Sequence, residues 1–303
     1  MWQRGDMTER ALNPQEGIPA SGSFKTGKGL VVDEFGRMAE RLLGEDPKEL
    51  RDKVEERKWR FYRYGYVTGR ILDLGCGGGV DLLALHGITG GRAELYGVDM
   101  TDKALELAKR RMETLGVEGI RLLKGDITSL PFEDGFFDMV TVAWVLHHVL
   151  EEELDRIFAE IKRVLRPGGV FLMLEPCEPP FTEEQWLWLE LMSLQSKVEL
   201  LVGKAFPRIH FTPRFTREYL RGKGFELEVL EVITPYLGGF PMRAEFFKRE
   251  LEELEELISR LPEELRGHFR RKLGFLLKKI DLMGAMKGST LVAKAYKPER
   301  VEG

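Results

Sequence analysis

The stretch Arg70-Ile-Leu-Asp-Leu-Gly-Cys-Gly-Gly-Gly-Val80 constrains this chain more than any other. An apolar strand, Ile71 to Leu74, carries one carboxylate, Asp73. It breaks into glycines at 75, 77, 78 and 79, and a helix-compatible run follows from Val80 to His86. A strand, a glycine turn and a helix start bring a ligand against bare backbone. Side chains would block that approach, and the N–H groups that open the helix attract polar or anionic groups.

The glycine spacing admits two kinds of ligand. In the dinucleotide fingerprint Gly-x-Gly-x-x-Gly, Gly75 and Gly77 fill the first two places, but the third falls on Val80. The downstream chain has to decide. It alternates strand and helix, the pattern of a mostly parallel sheet. The expected strands are Ile71–Leu74, Ala93–Val98, Ile120–Lys124, Phe137–Val142 and Val170–Leu174, then Glu226–Ile233 and Ser289–Tyr296. Between them lie helices over Lys103–Leu115, with Asp102 as cap, over Glu151–Leu165 and over Thr216–Arg221. Asp46-Pro47 reads as a cap and first position of an earlier helix, which ends in the aromatic cluster Trp59, Phe61, Tyr62, Tyr64 and Tyr66. A further short helix is expected over Leu30–Leu43, and residues 1–30 read as loop.

An apolar helix over 181–203 and charged helices over 241–286, broken near Pro262 and Gly284, interrupt this plan. Both insertions start at strand carboxyl ends, the edge where open α/β sheets bind ligands. The fold class is therefore α/β, a Rossmann-like seven-stranded, mostly parallel sheet with helical cap insertions.

Composition narrows the function. A net charge of −4 does not favour nucleic acid, and 43% apolar residues suffice for a real core. Two cysteines make no disulfide framework, and no apolar run reaches membrane-spanning length. With a polar start and no signal-peptide core, a cytoplasmic setting is expected. Charge at 32% with Asn13 as the only asparagine points to a thermophilic source.

Four stations then fall at strand ends. They are Asp73-x-Gly75-x-Gly77-x-Gly79; Gly97-Val98-Asp99-Met100; Gly125-Asp126-Ile127; and Ala143-Trp144-Val145-Leu146-His147-His148. With the turn Arg166-Pro167-Gly168-Gly169, this set resembles the class I S-adenosyl-L-methionine (SAM) methyltransferases, and within them the small-molecule branch that includes quinone-biosynthesis enzymes.

The resemblance implies that SAM is the cofactor and S-adenosyl-L-homocysteine the product. It implies a site made of Asp73, Gly75, Cys76, Gly77, Gly79, Asp99, Met100, Asp126, Ile127 and Ala143. Asp99 suits the vicinal ribose hydroxyls, because an ionised carboxylate offers two acceptor oxygens. Met100 suits the adenine face, Asp126 the adenine amine, and Asp73 the turn or the ammonium. His147 and His148 are candidates for a base or an acceptor orienter; the alternative for His147 is a structural role. An NAD reading lacks support from Asp126 and the histidine segment, and no Tyr-x-x-x-Lys arrangement is visible.

The expected division is a lid and helices over 1–67, a SAM-binding core over 68–175, and a cap over 176–212. Core follows again over 213–234, a second cap over 235–287, and a final strand with tail over 288–303. The acceptor is expected to be small and partly apolar or aromatic, contacted by Tyr62, Tyr66, Trp144, Trp186, Arg208 and His210. No metal is expected, and a homodimer is allowed.

Two other readings stay open. The basic, aromatic-interleaved segment 204–223 could serve an RNA- or protein-directed methyltransferase, although the plainer reading is a solvated surface balanced by acidic residues 250–256. The chain could also bind SAM without catalysis. Cys177 sits after strand five, as in RNA cytosine-5 methyltransferases, but the Asp-Ala-Pro-Cys signature of those enzymes is replaced by Val142-Ala143-Trp144-Val145. The cysteine set of arsenite methyltransferases is missing. Strand four should separate Cys76 from Cys177 by roughly 10 Å, too far for a disulfide.

Overall fold

The computed structural model describes residues 36, 39–40, 42–177, 180, 182–203, 209, 211–233, 242–286 and 288–299. The expected lid and most of the expected Leu30–Leu43 helix lie outside these residues, as do Arg208 and His210.

Helix α1 (Pro47–Tyr64) leads into β1 (Arg70–Leu74), α2 (Val80–Thr89), β2 (Glu94–Asp99), α3 (Asp102–Leu115), β3 (Arg121–Lys124), β4 (Phe137–Ala143), α4 (Glu151–Val164) and β5 (Leu165–Cys177). Helix α5 (Glu183–Leu201), α6 (Pro213–Gly222), β6 (Glu226–Ile233), α7 (Lys248–Ser259), α8 (Glu263–Met283) and β7 (Ser289–Tyr296) follow. The strands form one seven-stranded sheet in the order β3-β2-β1-β4-β5-β7-β6. Every pairing from β3 to β5 is parallel, and β7 runs antiparallel to both its neighbours.

The sheet is covered on both faces, so its central strands are continuous apolar runs rather than alternating ones. On one face α1, α2 and α3 bury Leu50, Phe61, Leu82, Leu85, Ala108 and Met112. On the other, α4 and α6 bury Leu154, Ile157, Phe158, Ile161 and Leu220. A third core lies apart, where α5, α7 and α8 enclose Leu187, Leu191, Ile258, Leu273, Leu276 and Ile280.

Local signals explain most boundaries. The Asp46 side chain accepts from the Lys48 and Glu49 amides with Pro47 at the first position, as expected for α1. The α7–α8 chain breaks at Pro262. Two expectations are corrected. Thr101, not Asp102, is the N-cap of α3; Asp102 sits in the first turn, where its carboxylate meets Lys124 at 2.5 Å. β5 begins at Leu165, and Arg166 to Gly169 form an irregularity within it rather than a turn before it, with Gly168 at φ +69°. The register steps from Leu165 opposite Phe137 to Val170 opposite Met139, so residues 166–169 stand against Asp138 alone and three extra residues loop out.

The aromatic cluster splits. Phe61 and Tyr64 are buried, while Trp59, Tyr62 and Tyr66 are exposed. Tyr64 donates to Glu231 of β6 at 2.9 Å, tying α1 to the far edge of the sheet. Cys76 and Cys177 are both thiols, with β4 between their strands. Both insertions leave the same edge: Cys177 ends β5 opposite Ser289, and Ile233 ends β6 opposite Thr290.

Candidate functional site

The glycine turn folds back over the end of β2. The Gly75 and Cys76 amides both donate to the Val98 carbonyl, at 2.8 and 3.1 Å. Gly75 has φ +65°, and a Cβ there would come within 2.5 Å of Val145. Positive φ and close approach both call for glycine at this position. Gly79 also has positive φ, and its missing Cβ lets Ala108 of α3 pack at the start of α2.

Asp99 sits between two turns. Its Oδ2 accepts from the Gly77 amide and its Oδ1 from the Thr101 amide, each at 2.9 Å. Burial pushes this carboxyl up, and the two amides pull it down. Asp73 lies deeper, with 3% of its surface exposed. Burial holds its carboxyl well above the usual range; Asp81 and Asp99 push the same way, and Arg60 opposes them.

These groups surround a cavity of about 340 Å³ at the carboxyl ends of β1, β2 and β4. That is within the range of small-ligand pockets. Asp73, Gly75, Cys76 and Gly77 form one wall, and Asp99 and Met100 the next. Asp126 and Ile127 lie beyond them, and Ala143, Trp144 and His148 close the other side. Asp126 Oδ1 accepts from both the amide and the hydroxyl of Thr128. Burial raises the Cys76 thiol well above its usual value, so it lines the cavity as a small apolar group.

Other expected residues are placed elsewhere. Gly79 is not part of the lining, and neither are Tyr62, Tyr66 and Trp186. Tyr62 and Tyr66 stand edge to face with each other. His147 is buried behind the lining. Its Nδ1 lies 2.7 Å from Oε2 of Glu175, which has no exposed surface. Oε1 of the same carboxylate accepts from the amides of Val145 and Leu146, at 3.0 and 2.8 Å. The His148 ring packs on His147 with centroids 3.8 Å apart and faces the cavity.

Glu175 was not singled out from the sequence, because its partners lie 28 to 30 residues earlier on the neighbouring strand's loop. Three more residues were missed. Arg57 and Asp81 line the cavity, and Arg60 lies behind them with 2% exposure, 2.9 Å from Asp81. The Arg57 and Arg60 guanidinium carbons stand 5.0 and 4.9 Å from the Trp144 ring centroid. Trp144 is itself strained: it has φ +54°, the one non-glycine positive φ among the described residues, and its amide is tied to Leu174 O at 2.8 Å. Asp81 Oδ1 is buried and has no hydrogen-bond partner among the described residues. Asp73 and Asp81 thus make this end of the cavity a place for a donor or a cation.

The described part of the basic segment is neutralised locally at two of its four cations, and Arg217 and Arg221 have no carboxylate partner among the described residues. Lys223 pairs with Asp155 and Arg214 with Glu218, while Tyr219 donates to Asp155. Glu255 and Glu256 pair instead with Arg270 and Arg260.

A family model described as a methyltransferase domain matches residues 72–173. A demethylmenaquinone methyltransferase of Bacillus mycoides is 33% identical over 110 residues, 36% of this chain and 46% of that protein. The chain thus spans less than half the length of this curated relative. Among solved structures, the YcgJ protein of Bacillus subtilis superposes with TM-score 0.55 at 18% identity, over 81% of this chain and 99% of that one. A Haemonchus contortus phosphoethanolamine N-methyltransferase, solved with S-adenosyl-L-methionine, gives TM-score 0.50 at 19% identity, over 81% of this chain and 53% of that one. Identities this low show a shared fold alone. Residues 72–173 are thus similar to a methyltransferase domain and, in sequence, to a demethylmenaquinone methyltransferase.

Proposed function

We propose that this chain transfers a methyl group from SAM to a small, partly apolar or aromatic acceptor by in-line displacement. The observation that carries the reading is the convergence of Asp99, the Gly75–Gly77 turn and the Asp73–Asp81 pair on one cavity at the carboxyl edge of the sheet. These groups fit the parts of SAM. Asp99 would take the ribose hydroxyls with lone pairs not used by Gly77 and Thr101. Met100 and Ile127 would flank the adenine. Asp81, whose Oδ1 accepts no hydrogen bond from the described residues, and Asp73 would take the ammonium. Arg57, whose Nε stands 4.0 Å from Asp81 Oδ1, would take the carboxylate.

SAM supplies a methyl on a sulfonium, which departs without an added acid. The chain's task is alignment and exclusion of water. Trp144 and His148 close the side nearest β4, and the two guanidiniums over Trp144 hold its strained backbone in place. His147, pinned by Glu175, has a positioning role, holding the Leu146–His148 turn; this leaves His148 as the imidazole that reaches the acceptor. The two helical insertions would roof the acceptor side.

The small-molecule reading is preferred over an RNA or protein acceptor because the net charge is −4 and two of the four described cations between 211 and 223, Arg214 and Lys223, pair with local carboxylates. Calorimetric titration with SAM and S-adenosyl-L-homocysteine, with NAD as control, tests the cofactor. Tight binding of the two sulfur ligands and none of NAD is expected; NAD binding would overturn the reading. Asp99→Ala should weaken SAM by roughly tenfold to a hundredfold, since hydrogen bonds to a charged group contribute about 1.5–3 kcal/mol each. Unchanged affinity would remove the ribose assignment.

A further inference from the structure

Helix α8 is apolar on two faces. Phe269, Leu273, Leu276 and Ile280 turn inward and complete the third core. On the opposite side Phe275 is 57% exposed and Leu282 is 81% exposed. Seven residues separate them, so they lie on one stripe. Trp186 of α5, 38% exposed, joins this surface through Lys279, whose Nζ stands 5.5 Å from the Trp186 centroid and 5.2 Å from that of Phe275.

The charges on this face are mostly positive. Lys278 and Lys279 flank the apolar stripe and have no carboxylate partner among the described residues. Lys272 is matched by Glu190 at 3.5 Å. Asp281 lies off the stripe and accepts from the Ala244 amide at 3.2 Å. Large exposed apolar side chains interleaved with unmatched lysines, in a chain whose net charge is −4, are not a solubility device. No described helix is long and apolar enough to cross a membrane, so the face would lie on a bilayer rather than span it.

We propose that this face docks on an anionic membrane surface. Phe275, Leu282 and Trp186 enter the headgroup boundary, and Lys278 and Lys279 meet the lipid phosphates. The helices that carry the face are rooted at the ligand-binding edge. α5 follows Cys177, α8 returns to Ser289, and Gln185 donates to the Ser289 hydroxyl at 3.2 Å. A docked cap would bring the cavity edge toward the lipid phase, from which an apolar acceptor can be drawn. Docking itself does not depend on the methyl-transfer reading.

The test is co-sedimentation of the full chain with vesicles of phosphatidylcholine alone and of equal parts phosphatidylcholine and phosphatidylglycerol, at low and high salt. Binding to the anionic vesicles at low salt is expected, weakening as salt rises. Leu282→Ser and Phe275→Ser should each weaken binding roughly tenfold. Lys278→Glu with Lys279→Glu should abolish the preference for anionic lipid. SAM titration and a thermal melt of each variant confirm that it is folded. No sedimentation with anionic vesicles, or sedimentation indifferent to these folded variants, overturns the proposal. So does light scattering that shows a second copy of the chain on this face, dissociated by Leu282→Ser.

Discussion

Asp73 combines a cost to the fold with a use in the site. Burial raises its carboxyl above the unfolded value, so the folded chain holds this proton more tightly than the unfolded chain. Stability from this group is complete below the ordinary carboxylate range and is lost as pH rises toward the folded pKa. Asp73→Asn should therefore raise the melting temperature of the ligand-free protein by a few degrees at neutral pH, and by nothing below about pH 4. The same change should weaken SAM about tenfold. Melting curves across pH check the first part; identical curves at neutral pH would refute the burial argument. Arg57 offers a separable test. Arg57→Gln should weaken SAM by roughly tenfold to a hundredfold and leave decarboxylated SAM unaffected. Equal losses for both ligands, measured by calorimetry, would reduce Arg57 to support for the Trp144 wall.

At the scale of elements, the glycine turn and the loop after β4 are one fitted unit. Gly75→Ala adds strain at φ +65° and a clash with Val145, and should cost about 2–4 kcal/mol. Val145→Ala in the same chain should return part of that loss, because it relieves the clash and not the strain. Denaturant midpoints of the two singles and the double give the coupling; strict additivity would mean the turn moves away from Val145. This pairing also shows where the sequence was legible. Strand-helix alternation and the glycine spacing are local signals, and β6 and β7 match their expected ranges residue for residue. Asp99, Met100, Asp126 and Ile127 could be placed near the cavity from sequence because each lies at a strand end or within three residues of one. Glu175 under His147, Arg60 behind Asp81 and Trp144 at positive φ were not. Each is defined by a neighbour on another strand or helix, and no periodicity within one element records that. The start of β5 was misjudged for a related reason: Arg166 to Gly169 carry turn residues, yet the strand pairing resumes on both sides of them.

At the scale of the whole molecule, the chain has a sheet with two covered faces and a helical unit with its own core. Local links between the unit and the sheet include the Gln185–Ser289 hydrogen bond and the bond from the Met286 amide to Glu184 O, which lies beside the strand ends. A unit with its own core can open on its own, at a free energy below that of the sheet. Leu276 is 1% exposed at the centre of that core, and Leu276→Ala should cost about 2–5 kcal/mol. The loss should fall on the unit. Amide hydrogens of α5, α7 and α8 should exchange faster, those of β1 and β4 should stay protected, and SAM affinity should change less than about twofold, because none of the unit's residues lines the cavity. Turnover of an acceptor should fall if the unit roofs the acceptor side. Hydrogen exchange read by mass spectrometry, beside SAM calorimetry, separates the cases. Faster exchange in β1 and β4, or SAM binding that weakens with the helices, would make cap and sheet one cooperative body, and the cap would then support the cofactor rather than select the acceptor.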